Sequence, residues 1–288
     1  MYWFRQEVGC RFGFYGELQE QILRDLGYDF EFVNLMDLAN PLILYKKVRS
    51  LGSNISITKF IYYVFLIMQM VKMIDKFEFY IRENIGFEVV KNSFENLKSD
   101  FFSELRHVIS IKHLHSVYKL YDRRLKEIKI DKPQDALKIG MVGELYTLME
   151  PFSNYNMEKE LAKNKIVVSR YITVSYLLFQ KNFTNMATLK KASGYLKYLI
   201  GADGVDSVAK SKELALAHYD GIIHVKPFGC TPEVNAIPSL QNISNDYKIP
   251  ILYFSFDSQT SETGVKTRLE AFYDMLIKRK EQQCKLDI

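Results

Sequence analysis

Two of the three cysteines follow a glycine and stand directly before a segment with helical pattern. Cys10 lies in GCRFG at residues 9–13, and Cys230 lies in KPFGCTPE at residues 226–233. Unpaired N–H groups and the dipole at a helix N-terminus favour a thiolate, the form that binds metal or acts as a nucleophile. A small buried thiol is the alternative at both positions. Cys284, in the charged tail, is predicted to be an incidental surface thiol.

A second group of chemically capable side chains lies in GELYTLMEP at residues 143–151, directly after a predicted strand. Glu144 and Tyr146 belong to it, and such carboxylates and phenols could orient a substrate or act as acid and base. The alternative is a structural loop in which Ser153 and Asn154 cap the next helix.

His224 and Lys226 flank the turn into Cys230, either as functional groups or as satisfied strand-end residues. His113 and His115 are two residues apart, so on a helix they face different directions and share no metal. The sequence contains no Cys-x-x-Cys, no His-Glu-x-x-His, no phosphate-binding P-loop and no Gly-x-Gly-x-x-Gly. It therefore does not predict a zinc site or ATP binding within this chain.

The elements that must position these residues follow one another as alternating strands and helices from residue 131 to 288. Strands are predicted at 137–142, 166–168, 221–225 and 249–256, and helices at 157–163, 171–179, 207–218, 232–246 and 264–280. This alternation predicts an α/β domain with a Rossmann-like parallel sheet. Ligands of such sheets bind beyond the carboxyl ends of the strands, so chemistry is expected in the loops after residues 142, 225 and 256.

Two other regions precede that domain. Residues 53–130 are predicted to form a long-helix region, with helical runs at 55–79 and 94–128. Residues 1–52 are predicted to be the remnant of a first α/β domain. There a helix at 15–26 ends at Gly27 as a left-handed C-cap, and a short strand follows at 30–33.

Composition limits the class of protein. The 288 residues are 48% apolar and 25% charged, which excludes wholesale disorder, and the net charge of +5 is too mild to predict nucleic-acid binding. The most apolar run, residues 60–68, is less than half of the roughly 20 residues that span a bilayer. It is interpreted as a buried helix. With no membrane span or signal peptide expected, a cytoplasmic location is predicted.

Four segments resemble the 2-hydroxyacyl-CoA dehydratase D-component superfamily, in its acyl-CoA dehydratase activase-related and double-cubane-cluster branch. They are CRFGFYGE at 10–17, GELYT through EPFSNYN at 143–156, HVKPFGCTPE at 224–233, and SFD to TRLEAF at 255–272. The resemblance implies a helical region and two α/β domains, with an iron–sulfur cluster held between them by cysteines from each. Cys10 and Cys230 carry over as ligands of that cluster, a [4Fe-4S] or double-cubane type.

The resemblance also implies partners and a reaction. A separate ATP-hydrolysing iron–sulfur activator supplies electrons, for radical removal of water from a 2-hydroxyacyl-CoA or for reduction of small molecules. Relatives have most of an α/β domain and another cysteine before the segment that starts at Cys10. The missing ligands are therefore expected from a homodimer partner or another chain. The alternatives are a non-catalytic remnant or interaction module without a cluster, and CoA-thioester binding without redox chemistry.

Overall fold

The computed structural model describes residues 12–30, 32, 41–50 and 54–286, and their side chains in 16–30, 32, 42–50, 54–181 and 185–282. The chain divides into two units, Met1–Met70 and Val71–Ile288. Cys10 lies outside the described residues. Cys284 is described only as backbone.

The first unit contains helices α1 (Phe12–Asp25) and α2 (Pro41–Ser50) and the start of α3 (Ile57–Asn84). Gly27 follows α1 with a φ of +82°, and its N–H donates to Arg24 O over 2.9 Å. The predicted left-handed C-cap is therefore confirmed. Of the strand predicted at 30–33, residues 31 and 33 lie outside the described residues, and the other two belong to no strand.

Helix α3 is much longer than its most apolar run. Phe60 and Leu66 are buried, but Ile61, Phe65 and Ile67 are exposed, so the prediction of a buried helix is wrong. The run is apolar on every side of the helix, and most of its side chains are exposed. The segment Ile57–Phe87 is long and apolar enough to cross a membrane, and 11% of its most apolar 18-residue window is buried. Length and composition alone do not make it a membrane span.

The helical part of the second unit comprises the end of α3, a 3-10 turn (Ile85–Phe87), α4 (Ser93–Leu105) and α5 (Ile111–Glu127). The single helix predicted at 94–128 is wrong, because the chain turns at residues 106–110. Ser110 caps α5 by accepting the N–H of His113 over 3.2 Å. The turn brings the ring centroids of Phe101 and Tyr121 to 5.3 Å from each other, and Phe101 also packs on Phe77.

Four parallel strands form one sheet in the order β2-β1-β3-β4. They are β1 (Lys138–Gly143), β2 (Val167–Arg170), β3 (Gly221–Pro227) and β4 (Ile251–Phe256). The predicted α/β fold class is confirmed. The strand order reverses between β1 and β3, so the topological switch point, where open α/β sheets bind ligands, lies between their carboxyl ends.

Helices cover both faces of the sheet. They are α6 (Leu145–Met149), α7 (Met157–Lys163), α8 (Val174–Phe179), α9 (Lys181–Lys191), α10 (Gly204–Leu216), α11 (Thr231–Tyr247) and α12 (Glu262–Leu286). Ile223 and Val225 pack with α7 and α12, whereas Ile222 packs with α10 and α11. Because side chains alternate along a strand, His224 points to the α10 and α11 side.

Candidate functional site

The loop after β1 crosses directly against β3 at the switch point. Gly143 has a φ of +141°, and a Cβ there would lie 1.9 Å from Val225 O. The next residue, Glu144, donates its N–H to the same oxygen over 3.0 Å. Only glycine permits this conformation and this approach, so Gly143 holds the β1 and β3 exits together.

Glu144 is used by its own loop. Its carboxylate accepts the N–H of Tyr146 over 3.1 Å, and the N–H and hydroxyl of Thr147 over 2.8 and 2.7 Å. These bonds cap α6, and Glu144 is buried as a result. Tyr146, in contrast, is 57% exposed. Asn154 accepts the N–H of Met157 over 3.2 Å at the start of α7, as the structural alternative predicts, whereas Ser153 donates its hydroxyl to Glu150 O and does not cap that helix.

Cys230 is the N-cap residue of α11 and is 7% exposed. Its N–H donates to Pro227 O over 3.2 Å, and its carbonyl accepts the N–H of Val234 over 3.0 Å. Lys226 stabilises the same turn, because its Nζ donates to Phe228 O and to Ser255 Oγ. Cys230 thus stands at the helix start that its sequence context predicts.

A second helix begins beside that of Cys230. A Cβ on Gly204, the first residue of α10, would lie 2.5 Å from Pro232 O, and one on Gly201 would contact the Pro232 ring at 3.4 Å. The N-termini of α10 and α11 therefore meet two residues from Cys230. Both helix ends carry partial positive charge, which favours a thiolate or another anion there.

A buried ion cluster behind this point had no signal in the sequence. Lys181 pairs with Asp203, and its Nζ lies 3.4 Å from Asp206 Oδ2. Burial raises the pKa of Asp206. Burial by itself would lower the pKa of Lys181, but the two carboxylates raise it. Asp203 also accepts the N–H of Leu145 over 3.0 Å and so connects the cluster to α6.

His224 lies beneath the site and does not reach the surface. Its Nε2 lies 2.7 Å from Glu233 Oε2, and both side chains are 0% exposed. Ser207 of α10 donates to the other Glu233 oxygen over 3.1 Å. Burial raises the pKa of Glu233. In this position His224 connects β3 to α11, and a functional role for His224 stays a prediction.

Metal-ligating side chains are sparse at this edge. In the part of the chain that the structure describes, no three or more His, Cys, Asp or Glu side chains form a group that could hold a metal ion. Of the two predicted cluster ligands, the described residues place Cys230 alone. Glu144 and Cys230 are the N-cap residues of the helices that follow β1 and β3, and Tyr146 lies in the first turn of α6, so all three are near the switch point.

Proteins with an open parallel α/β sheet bind their ligands, where they have any, in the crevice at the switch point. The family model described as 2-hydroxyglutaryl-CoA dehydratase, D-component, matches residues 119–276, more than half of the chain. The chain therefore belongs to this family. A search of curated proteins gives no match.

Proposed function

We propose that this chain is the cluster-bearing component of a 2-hydroxyacyl-CoA dehydratase-like or double-cubane-type reductase system. The observation that carries the proposal is Cys230, a thiol at the start of α11, within the region that matches the family. Members of this family work with an ATP-dependent activator, so we propose that this chain receives electrons from one, in the cytoplasm.

The described residues supply one candidate ligand of an iron–sulfur cluster. Cys230 stands where two helix N-termini favour anionic sulfur, which suits a thiolate ligand. Four-iron clusters take four cysteine thiolates, so one is too few. We propose that the other ligands are Cys10 and thiols of a second chain, either another copy or a different protein. The bound cluster would supply one-electron chemistry.

The chain's own side chains then have separate tasks. Glu144 holds the loop after β1 in place, and Tyr146 on that loop is exposed and free to approach a substrate. His224 and Glu233 fix the first turn of α11 and thereby the direction of the Cys230 thiol. Of the three candidate catalytic residues, Glu144 and His224 are therefore proposed to position the loop after β1 and the Cys230 thiol, and Tyr146 alone is proposed to contact a substrate.

Anaerobic reconstitution with iron and sulfide tests the proposal. Wild-type protein is expected to take up iron and to show visible thiolate-to-iron absorbance, and Cys230→Ser and Cys10→Ser are expected to lose most of both. Cys284→Ser is the matched control and is expected to behave like the wild type. Equal iron uptake by the wild type and Cys230→Ser would contradict the proposal.

A non-catalytic interaction module without a cluster is the second candidate. It is favoured by the internal use of Glu144, which caps α6, and of His224, which is paired with Glu233. The same reconstitution separates the two candidates. If the chain is a module of this kind, the wild type, Cys230→Ser and Cys284→Ser all take up the same small amount of iron.

A further inference from the structure

A cavity of about 330 Å³ lies at the carboxyl end of β2, one strand away from the switch point. The end of α3, helix α4, the segment from α6 to α7 and the last residue of β2 surround it. Its lining combines apolar side chains, among them Ile81, Ile85, Leu148 and Met149, with seven charged ones. All of these residues belong to the unit Val71–Ile288.

Four of the seven charges neutralise one another at the rim. Lys98 Nζ lies 2.6 Å from Glu78 Oε1, and Lys159 Nζ lies 2.7 Å from Glu95 Oε1. These side chains are partly exposed, and each lysine has its own carboxylate. The remaining charges are two arginines and one glutamate, so the cavity keeps one net positive charge.

Those three groups form an incomplete ion cluster. Arg82 Nε lies 3.0 Å from Glu158 Oε2, and Arg170 Nε lies 3.2 Å from Glu158 Oε1. The second pair is not aligned for a hydrogen bond, although Arg170 Nη1 donates to Leu148 O over 3.1 Å. Among the described residues, the buried atoms Arg82 Nη1, Arg170 Nε and Glu158 Oε1 therefore have no hydrogen-bond partner.

The unmatched charge is buried. Arg82 is 8% exposed and Arg170 is 6% exposed. Burial lowers the pKa of Arg170, and Arg82 lowers it further, although the attraction of Glu158, Glu78 and Asp75 partly offsets this effect. A buried guanidinium without a full set of acceptors is costly, and a bound anion removes that cost.

We propose that this cavity binds the carboxylate of a small monocarboxylic acid, with the acid's short apolar body against Ile85 and Met149, which are partly exposed. A planar carboxylate matches the donor geometry of a guanidinium and can accept from Arg82 and Arg170 together. A single negative charge neutralises the one excess positive charge. A phosphate dianion would leave a buried negative charge instead. The site is independent of the cluster ligands and of the cluster.

Calorimetric titration of the full chain with butyrate and benzoate, at constant ionic strength and at a mildly alkaline pH where inorganic phosphate is a dianion, tests the proposal. Butyramide and benzamide match the two acids in shape but carry no charge, and inorganic phosphate tests for a general anion site. We expect the carboxylates to bind and the amides and phosphate not to bind. Equal binding of acid and amide, or binding of phosphate alone, overturns the proposal.

Two variants in the cavity change the affinity in opposite directions. Arg82→Gln removes a charged donor and is expected to weaken carboxylate binding about tenfold or more. Glu158→Gln removes the competing carboxylate and is expected to strengthen it. Arg123→Gln, an exposed arginine on α5 outside the cavity, is the control and should leave affinity unchanged.

The opposite signs exclude a merely structural effect of the substitutions. Unchanged affinity in Arg82→Gln overturns the proposal. If that variant does not fold, Glu158→Gln decides alone, because it keeps both arginines, and unchanged or weaker binding in it overturns the proposal.

Discussion

His224 Nε2 lies 2.7 Å from Glu233 Oε2, and this completely buried pair joins β3 to the first turn of α11. Ser207 donates to the second carboxylate oxygen, so α10 is fixed to the same group. One carboxylate thus connects one strand and the starts of two helices. Cys230 lies three residues before Glu233, as the N-cap residue of the same helix.

Replacing Glu233 by Gln is expected to change how stability depends on pH. Burial raises the pKa of Glu233 above its ordinary 4.5. A carboxyl of this kind contributes its full stability below about pH 4.5, and the contribution is lost as the pH rises through the folded-state pKa. In urea unfolding, the free energy of unfolding of Glu233→Gln relative to the wild type should therefore increase as the pH rises above about 4.5. Glu270→Gln, on the exposed side of α12, should show a constant difference, and a constant difference for Glu233→Gln would contradict the expectation.

Removing the cap of α6 is expected to cost stability. Glu144→Ala deletes three hydrogen bonds to the loop after β1, and we expect a loss of about 1–2 kcal/mol in the free energy of unfolding. Glu144→Gln keeps one acceptor oxygen and should lose less. Glu270→Ala should change stability by less than about 0.5 kcal/mol. Equal effects of Glu144→Ala and Glu270→Ala would show that the cap is unimportant.

Lys181 compensates two buried carboxylates. Lys181→Met leaves Asp203 and Asp206 without their cation and should lower the free energy of unfolding by about 3–5 kcal/mol. Adding Asp206→Asn to that variant should restore part of the loss. Lys191→Met breaks an exposed pair with Glu213 and should cost less than about 1 kcal/mol. Thermal or urea unfolding of the three variants measures both contrasts.

Two glycines with positive φ allow the steric cost of an added Cβ to be distinguished from the backbone strain of a residue other than glycine at positive φ. A Cβ on Gly143 meets Val225 O, whereas one on Gly194, at a φ of +92°, has nothing within 4 Å. We expect Gly143→Ala to lose about 3 kcal/mol or more and Gly194→Ala about 1 kcal/mol. Similar losses in chemical denaturation would mean that the β1 exit can move away from β3.

The sheet could be predicted from the sequence because its buried parallel strands are short, nearly continuous apolar runs with helical patterns between them. The turn at residues 106–110 was missed because apolar spacing continues across it from α4 into α5. Periodicity records which side of a helix is apolar, and it does not record that the chain reverses there. The cap at Ser110 is the local signal that would have divided the run.

Local chemistry, by itself, determined the start of α11 and the place of Cys230 on it, because Pro232 and the acidic Glu233 act within the first turn after Cys230, the N-cap residue. The tertiary structure alone decided that Glu144 is spent on a cap, that His224 meets Glu233 inside the domain, and that Arg82 and Arg170 share one carboxylate. Arg82 and Glu158 are 76 residues apart in the chain. Contacts across such a separation depend on how α3, β2 and α7 pack together, and no spacing along the sequence encodes that packing.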